Sequence, residues 1–182
     1  MFLIFVDVNE SLSKLIPITI SSFIDANEKD SSIINLNIPS WSFNNELNLI
    51  ELNLNRFVNL ESIVIGDDCF ESVQTFQIDE LNRLQTVKIG DNSFTQFKNN
   101  DFKSDFMGSF TNCRNESKSF HILNCKSLKV IEIGRYSFCD FGGEFELRNL
   151  ENLESIKIGE IGYGSANFIW SSFNIRGNTK ID

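Results

Sequence analysis

Few side chains in this sequence are suited to nucleophilic chemistry. His121 is the only histidine, and Cys125 follows it four residues later. A cysteine beside a histidine can act as an activated nucleophile. In a strand that contains Phe120 and Ile122, however, the histidine would face away from the core. Cys125 takes a position that is apolar in the related segments described below, so we expect the two side chains to point apart and to form no nucleophilic site.

The remaining sulfur and glycine motifs do not match a metal or phosphate site. The four cysteines, Cys69, Cys113, Cys125 and Cys139, show neither a C-x-x-C pair nor zinc-ligand spacing. Free thiols suit a reducing compartment. The paired glycines of "DFGGEF", residues 140–145, lack the further glycine and the lysine of a phosphate-binding loop. We therefore predict no catalytic residue, no metal ligand and no cofactor.

The charge of the chain disfavours polyanionic partners. Its 25 acidic and 16 basic residues give a net charge of −9, whereas phosphate binding requires clustered Lys and Arg. The start, "MFLIFVDVNE", lacks the basic segment and apolar length of a signal peptide. No stretch reaches the roughly 18 apolar residues of a membrane span. We predict no nucleic-acid partner, no membrane insertion and a cytoplasmic location, with the cell surface as the alternative.

Apolar residues recur with one spacing upstream of four glycines, which are Gly66, Gly90, Gly134 and Gly159. Each copy holds two short alternating bursts joined by leucines three residues apart, as in Phe76-x-Ile78, Leu81, Leu84 and Val87-x-Ile89. Alternation with period two predicts a strand for each burst. The spacing of three predicts a tight bend between them. The glycine that follows the second strand is expected to adopt a positive φ.

A repeat of about 24 residues cannot bury its own apolar face, but stacked repeats bury their faces against each other. A weaker turn holds Ile33, Leu36 and Ile38, another begins at Leu12, and a last one opens at Phe173, which gives about six turns. Stacking predicts two internal aromatic columns. They comprise Phe43, Phe70, Phe94 and Phe138 in one, and Phe76, Phe120, Phe145 and Phe173 in the other.

The segments "LQTVKIGDNSF" at 84–94 and "LKVIEIGRYSF" at 128–138 follow the motif L-x-x-I-x-I-G-x-x-S-F, with Val87 at the first isoleucine position of the former. Over about residues 30–177 this pattern resembles the leucine-rich repeat of the BspA-like type. The resemblance implies a curved, right-handed solenoid with a short parallel strand in each turn. It also implies a role in protein recognition or adhesion and no catalytic residues. The chain departs from the family in carrying glycine where a ladder of asparagines is usual.

We predict an all-β, right-handed leucine-rich-repeat solenoid with two short parallel strands per turn and little helix. Residues 1–182 form one domain. It is divided into degenerate turns over 1–44, regular repeats over 45–94, a Phe-rich insertion over 95–118 and regular repeats over 119–182 that end in an incomplete turn.

The insertion separates Gly90 from Gly134 by 44 residues, against 24 between Gly66 and Gly90 and 25 between Gly134 and Gly159. Within it Phe102, Phe106 and Phe110 recur every four residues. This spacing fits one face of a short helix, although a worn turn is an alternative. The rings either pack on the flank of the solenoid or offer an apolar patch to a partner.

The middle residue of each second strand is expected to point outward, which gives the column Asn37, Val64, Lys88, Glu132 and Lys157. The column beside it holds Glu61, Gln85, Lys129 and Glu154. Opposite charges on adjacent strands contribute about 0.2–1 kcal/mol per pair. The face is either a balanced, solvated surface or a recognition surface. The candidate partner surface comprises Lys88, Lys129, Glu132, Glu154 and Lys157, together with Phe102, Phe106 and Phe110.

We predict a non-catalytic protein–protein interaction or scaffolding module with a protein partner, and self-association through ends that lack a cap. One alternative is an adhesin fragment of a cell-surface protein. Another is a β-solenoid enzyme acting on polysaccharides, which would need clustered outward carboxylates. Among the later turns we identify only Glu132 and Glu146 as outward acids, and they lie on different strands.

Overall fold

The computed structural model describes residues 2–8, 12–18, 29–97, 113–160 and 165–177. The strands in these ranges are β1 Phe2–Val8, β2 Leu12–Ile18, β3 Ile33–Ile38, β4 Glu51–Asn53, β5 Ser62–Ile65, β6 Thr75–Asp79, β7 Thr86–Ile89, β8 Ser119–Leu123, β9 Val130–Ile133, β10 Glu144–Arg148, β11 Ser155–Ile158 and β12 Ser172–Arg176. The described ranges contain no helix, and therefore none that could span a bilayer.

The strands form two sheets that the chain visits in alternation. One sheet has the order β11-β9-β7-β5-β3-β1-β2, and the other has the order β12-β10-β8-β6-β4. From β3 onward every pair is parallel. Each turn thus contributes one strand to each sheet, and about five turns stack. The predicted mainly-β solenoid with two short parallel strands per turn is confirmed.

The amino-terminal strands differ from the turn that the spacing around Leu12 predicts. β1 pairs antiparallel with β2 and also antiparallel with β3, so these strands extend the first sheet as a hairpin. Parallel and antiparallel strands share the same side-chain alternation. The pattern in the sequence therefore could not distinguish a hairpin from a further coil, and the described residues hold about five turns where we counted about six.

The two predicted aromatic columns are present, and their rings are buried except for Phe173 at the end of the second column, which is 56% exposed because no further ring covers it among the described residues. In the first, the rings of Phe94 and Phe138 stack with their centres 4.6 Å apart and their planes nearly parallel, and Phe70 stacks on Phe94 at 5.1 Å. In the second, Phe120 lies 5.0 Å from both Phe76 and Phe145. The columns meet edge to face, which is a favourable geometry for aromatic pairs.

Phe168 extends the first column by one ring, stacking on Phe138 at 4.9 Å. The repeat pattern did not reveal this residue. Gly134 precedes its ring by four residues, whereas Gly159 precedes Phe168 by nine. One sequence feature could have identified Phe168. A small polar residue precedes the ring in both turns, Ser137 before Phe138 and Asn167 before Phe168.

The glycine anchors are required for close backbone approach more than for a positive φ. Among the described glycines only Gly159 and Gly177 have positive φ. The prediction is therefore wrong at Gly66, Gly90 and Gly134. A Cβ on Gly134 would lie 2.5 Å from the carbonyl carbon of Gly90, because the loops stack directly on each other.

A ladder of polar side chains runs beside the first aromatic column and ties successive turns together. Each side chain donates to the carbonyl oxygen of the glycine that follows the strand one turn earlier: Ser93 to Gly66 at 2.9 Å, Ser137 to Gly90 at 2.6 Å and Asn167 to Gly134 at 2.7 Å. The Cys69 thiol occupies the same position, 3.2 Å from the carbonyl oxygen of Pro39. Buried carbonyl groups outside the strands thereby find donors.

Candidate interaction surface

The outward face of the first sheet carries the predicted column of charges. In the parallel register Val64 lies beside Lys88, Lys88 beside Glu132, and Glu132 beside Lys157. Lys88 Nζ lies 2.9 Å from Glu132 Oε2, with nearly half of each side chain exposed. The predicted alternating-charge ladder is confirmed for this pair. Within the described residues Lys157 is exposed and has no ion pair.

The neighbouring column lies where each second strand begins. Lys129 Nζ lies 3.9 Å from Glu154 Oε1, and both side chains are more than half exposed. Arg83 and Glu61 form a further exposed ion pair. Exposed pairs of this kind contribute about 0.2–1 kcal/mol at most. These charges therefore add little to folding stability and remain accessible to a partner.

A polar groove of about 350 Å³ lies at the end of the ladder, lined in part by Glu132, Lys157, Arg135 and Glu160. Arg135 crosses its floor, with Nη2 3.1 Å from Asp91 Oδ2 and Nη1 3.6 Å from Glu160 Oε2. The hydrogen bond to Asp91 raises the pKa of Arg135 above its ordinary value. The backbone N–H of Arg135 also donates to Asp91 Oδ1. Asp91 therefore contacts both the backbone and the side chain of Arg135.

Phe102, Phe106 and Phe110 lie outside the described residues. The positions on either side, Phe97 and Cys113, border an open cavity of about 440 Å³ on the flank of the solenoid.

The same cavity is bordered by a buried ion pair that sequence reasoning missed. Lys118 Nζ lies 2.8 Å from Asp140 Oδ2, and only 4% and 3% of the two side chains are exposed. The ammonium also lies 5.4 Å from the centre of the Phe141 ring. Neither residue belongs to the repeat motif, and their spacing of 22 residues carries no local signal. The pair joins the end of the insertion to the loop of the next turn.

The histidine and the cysteine that follows it lie in different environments, as the alternation along the strand predicts. His121 lies partly exposed on the outward face of β8, whereas Cys125 is fully buried. Burial raises the pKa of Cys69 to about 11 and that of Cys139 to about 12, so these thiols stay protonated at neutral pH. A thiol must ionise to act as a nucleophile.

The second sheet carries an outward acid that the sequence reasoning overlooked. β10 begins at Glu144, one residue before the apolar burst that marks it in the sequence. Glu144 and Glu146 therefore share the outward face of one strand. Glu146 lies directly beside His121 of β8 and Asn174 of β12 in the register. The expectation that Glu132 and Glu146 fall on different strands is confirmed, but Glu146 has an acidic neighbour on its own strand.

The fold defines a repeat protein of the β-solenoid class. Comparisons of the chain with protein-family models, with curated proteins and with solved structures find no match. The assignment to the leucine-rich repeats of the BspA-like type stays a prediction, as do the boundaries of the repeat regions and the insertion.

Proposed function

We propose that this chain is a non-catalytic protein-interaction module that binds a protein partner on the outward face of its first sheet. The observation that carries the proposal is the ordered array of accessible charges from Lys88 to Lys157 and its continuation into the Arg135 groove. Stacked turns hold these side chains at fixed spacing, and extended surfaces of this kind are what solenoids use to bind partners.

Two further considerations support this function. The ladder pairs contribute little to stability, so their regular placement is not needed for folding. The motif also resembles that of BspA-like leucine-rich repeats, for which protein recognition or adhesion is expected. We retain adhesion, as part of a cell-surface protein, as the alternative use of the same face.

The test exchanges the charges of one ladder pair. Lys88→Glu combined with Glu132→Lys keeps an ion pair on adjacent strands and sets one lysine beside Lys157. Because these side chains are exposed, the melting temperature should fall only slightly. The order of positive and negative charges is reversed at the centre of the face. A partner that depends on this order should no longer bind. Immobilised wild-type and exchanged chains are used to capture proteins from cell extract, and retained proteins are quantified by mass spectrometry.

The matched control introduces one charge of each sign on the other sheet, by Asn53→Lys and Gln77→Glu. We expect the control to retain the same proteins as the wild type, while the exchanged chain loses at least one of them. If the three chains retain identical sets, the first sheet is not the binding face. Turnover of any member of a panel of acidic polysaccharides would favour the enzyme alternative instead.

A second candidate function is self-association at the end formed by β12. Phe173 is 56% exposed, whereas Phe145, its neighbour one turn earlier in the same column, is 1% exposed. Ile175 and Ile169 are also exposed at this end. An edge strand with an apolar face is a template for pairing with another chain, and a second copy of this chain offers a matching strand.

A further inference from the structure

The outward face of the second sheet brings three metal-ligating side chains together. His121 of β8 and Glu146 of β10 are direct neighbours in the parallel register, and Glu144 lies two residues from Glu146 on the same face. Each of the three offers one ligand atom, and these atoms lie within 4.8 Å of one another. All three side chains are partly buried, so the sheet limits their freedom before any ligand arrives.

The distances fit the coordination sphere of a small divalent ion. His121 Nδ1 lies 3.3 Å from Glu146 Oε2. Two ligands of a tetrahedral zinc ion lie about 3.4 Å apart, because each is about 2.1 Å from the metal. The oxygen of Glu144 can approach by rotation about its last side-chain bond, whose torsion is broad. The histidine and Glu146 are therefore already spaced as ligands.

Apart from the hydrogen bond between His121 Nδ1 and Glu146 Oε2, which a bound ion would replace, the partners of the two carboxylates leave one oxygen of each available. Asn174 Nδ2 donates to Glu144 Oε1 at 2.5 Å, and Arg148 Nε lies 3.6 Å from Glu146 Oε1. The second oxygen of Glu146 faces the imidazole. A hydrogen bond such as that from Asn174 orients a ligating carboxylate in a metal site.

The charge of the cluster is incomplete without a cation. Two carboxylates share one face of one strand, and within the described residues Arg148 is the only cation paired with either of them. The two carboxylates and the Arg148 guanidinium together carry a net charge of −1, which a divalent ion would change to +1. A cation between the two carboxylates relieves their like-charge repulsion.

We propose that His121, Glu144 and Glu146 form a binding site for a divalent transition metal, with Zn²⁺ as the best match. Imidazole nitrogen suits Zn²⁺ and other transition ions, whereas Ca²⁺ requires six to eight oxygen ligands and Mg²⁺ prefers oxygen with retained water. Three protein ligands leave a fourth position for water or for a group from a partner. The site goes beyond the interaction face of the first sheet and does not depend on it.

The experiment titrates the full chain with Zn²⁺, by calorimetry and by competition with a chromogenic chelator. Co²⁺ replaces Zn²⁺ in a parallel titration followed by visible absorption, whose intensity reports coordination number. We expect one ion per chain, and at least a tenfold loss of affinity in His121→Ala and in Glu146→Gln. Both positions are on the surface of a strand, and circular dichroism checks that each variant is folded.

Glu132→Gln is the matched control, because it removes an outward strand carboxylate from the other sheet with the same change in charge. Its Zn²⁺ affinity should equal that of the wild type. Absence of stoichiometric Zn²⁺ binding overturns the proposal, as does binding that His121→Ala leaves unchanged. Binding of Mg²⁺ as tight as that of Zn²⁺ overturns the assignment to a transition metal.

Discussion

The rings of the first aromatic column sit on residues with a left-handed backbone. The φ values are 59° at Phe70, 60° at Phe94, 60° at Phe138 and 50° at Phe168. For a bulky residue this conformation costs about 1–3 kcal/mol. Burial of the ring contributes about 1.5–3 kcal/mol, and stacking adds about 0.5–1.5 kcal/mol. The aromatic contacts therefore outweigh the backbone strain, which explains why phenylalanine recurs where glycine would be the relaxed choice.

The first prediction follows from this balance. Phe94→Ala should lower the free energy of unfolding by about 3–5 kcal/mol, because it removes a fully buried ring and leaves a cavity between two stacked neighbours. Urea denaturation followed by circular dichroism measures the change. Phe173→Ala is the control, since more than half of that ring is exposed, and we expect a loss below about 1 kcal/mol. Equal losses would show that the columns are not the core.

The second prediction concerns the buried thiols. Burial raises the pKa of Cys125 and Cys139 to about 12 and that of Cys69 to about 11, against about 8.5 for an exposed cysteine. At about pH 8 these three thiols should not react with a disulfide reagent in the native chain and should react in urea. Rapid labelling of all three in native conditions would contradict the buried placement.

The same thiols set an alkaline limit on stability. Above about pH 8.5 the unfolded chain releases thiol protons that the folded chain retains, so the unfolded state binds fewer protons. The contribution of these thiols to the free energy of unfolding is therefore fully present below about pH 8.5. It falls by about 1.4 kcal/mol per pH unit for each thiol as the pH rises toward the pKa of the thiols in the folded chain. Cys125→Leu, which installs the residue of the equivalent positions Leu81 and Leu150, should weaken this pH dependence of the denaturation midpoint.

At the scale of the elements, a buried ion pair fixes the loop that ends the insertion. Lys118→Ala should cost about 3–5 kcal/mol, because it leaves the Asp140 carboxylate buried without its cation. The exposed pair provides the control, and Lys88→Ala should cost no more than about 1 kcal/mol. Chemical denaturation of the two variants gives both values. A small loss in Lys118→Ala would mean that water solvates Asp140 in the cavity.

The strands themselves were predictable because alternation has a direct physical cause. Ile63, Ile65 and their counterparts must face inward on every turn, so the period survives in the sequence. The hairpin of β1 and β2 was not predictable, since apolar and polar residues alternate in the same way in parallel and antiparallel strands. Glu144 was missed because apolar bursts mark the buried positions of a strand and not the polar residue at its end. Ion pairs between distant residues, such as Lys118 and Asp140, produce no periodic pattern in the sequence and so could not be predicted from it.

At the scale of the whole molecule, the exposed end of the second sheet predicts dimers. Sedimentation should show a mass that rises with concentration, because pairing of β12 with a second copy would bury Phe173 and Ile175 and satisfy an open strand edge. Phe173→Lys should shift the equilibrium to monomer. Val64→Lys places the same charge on an exposed apolar residue of the outward face of the first sheet, and it should leave the mass unchanged. A wild-type mass that stays monomeric at every concentration would exclude self-association.

The parallel register also fixes the distance between equivalent side chains on successive turns. Lys88 and Lys157 lie in the same column with one intervening strand between them, so their backbones are about 9.6 Å apart at the usual interstrand distance. A polypeptide in the polyproline II conformation rises about 3.1 Å per residue and returns to the same side every three residues, so it covers that span in about three residues. Under the proposed function, equally acidic partners would therefore differ in affinity according to whether their carboxylates recur at this three-residue spacing.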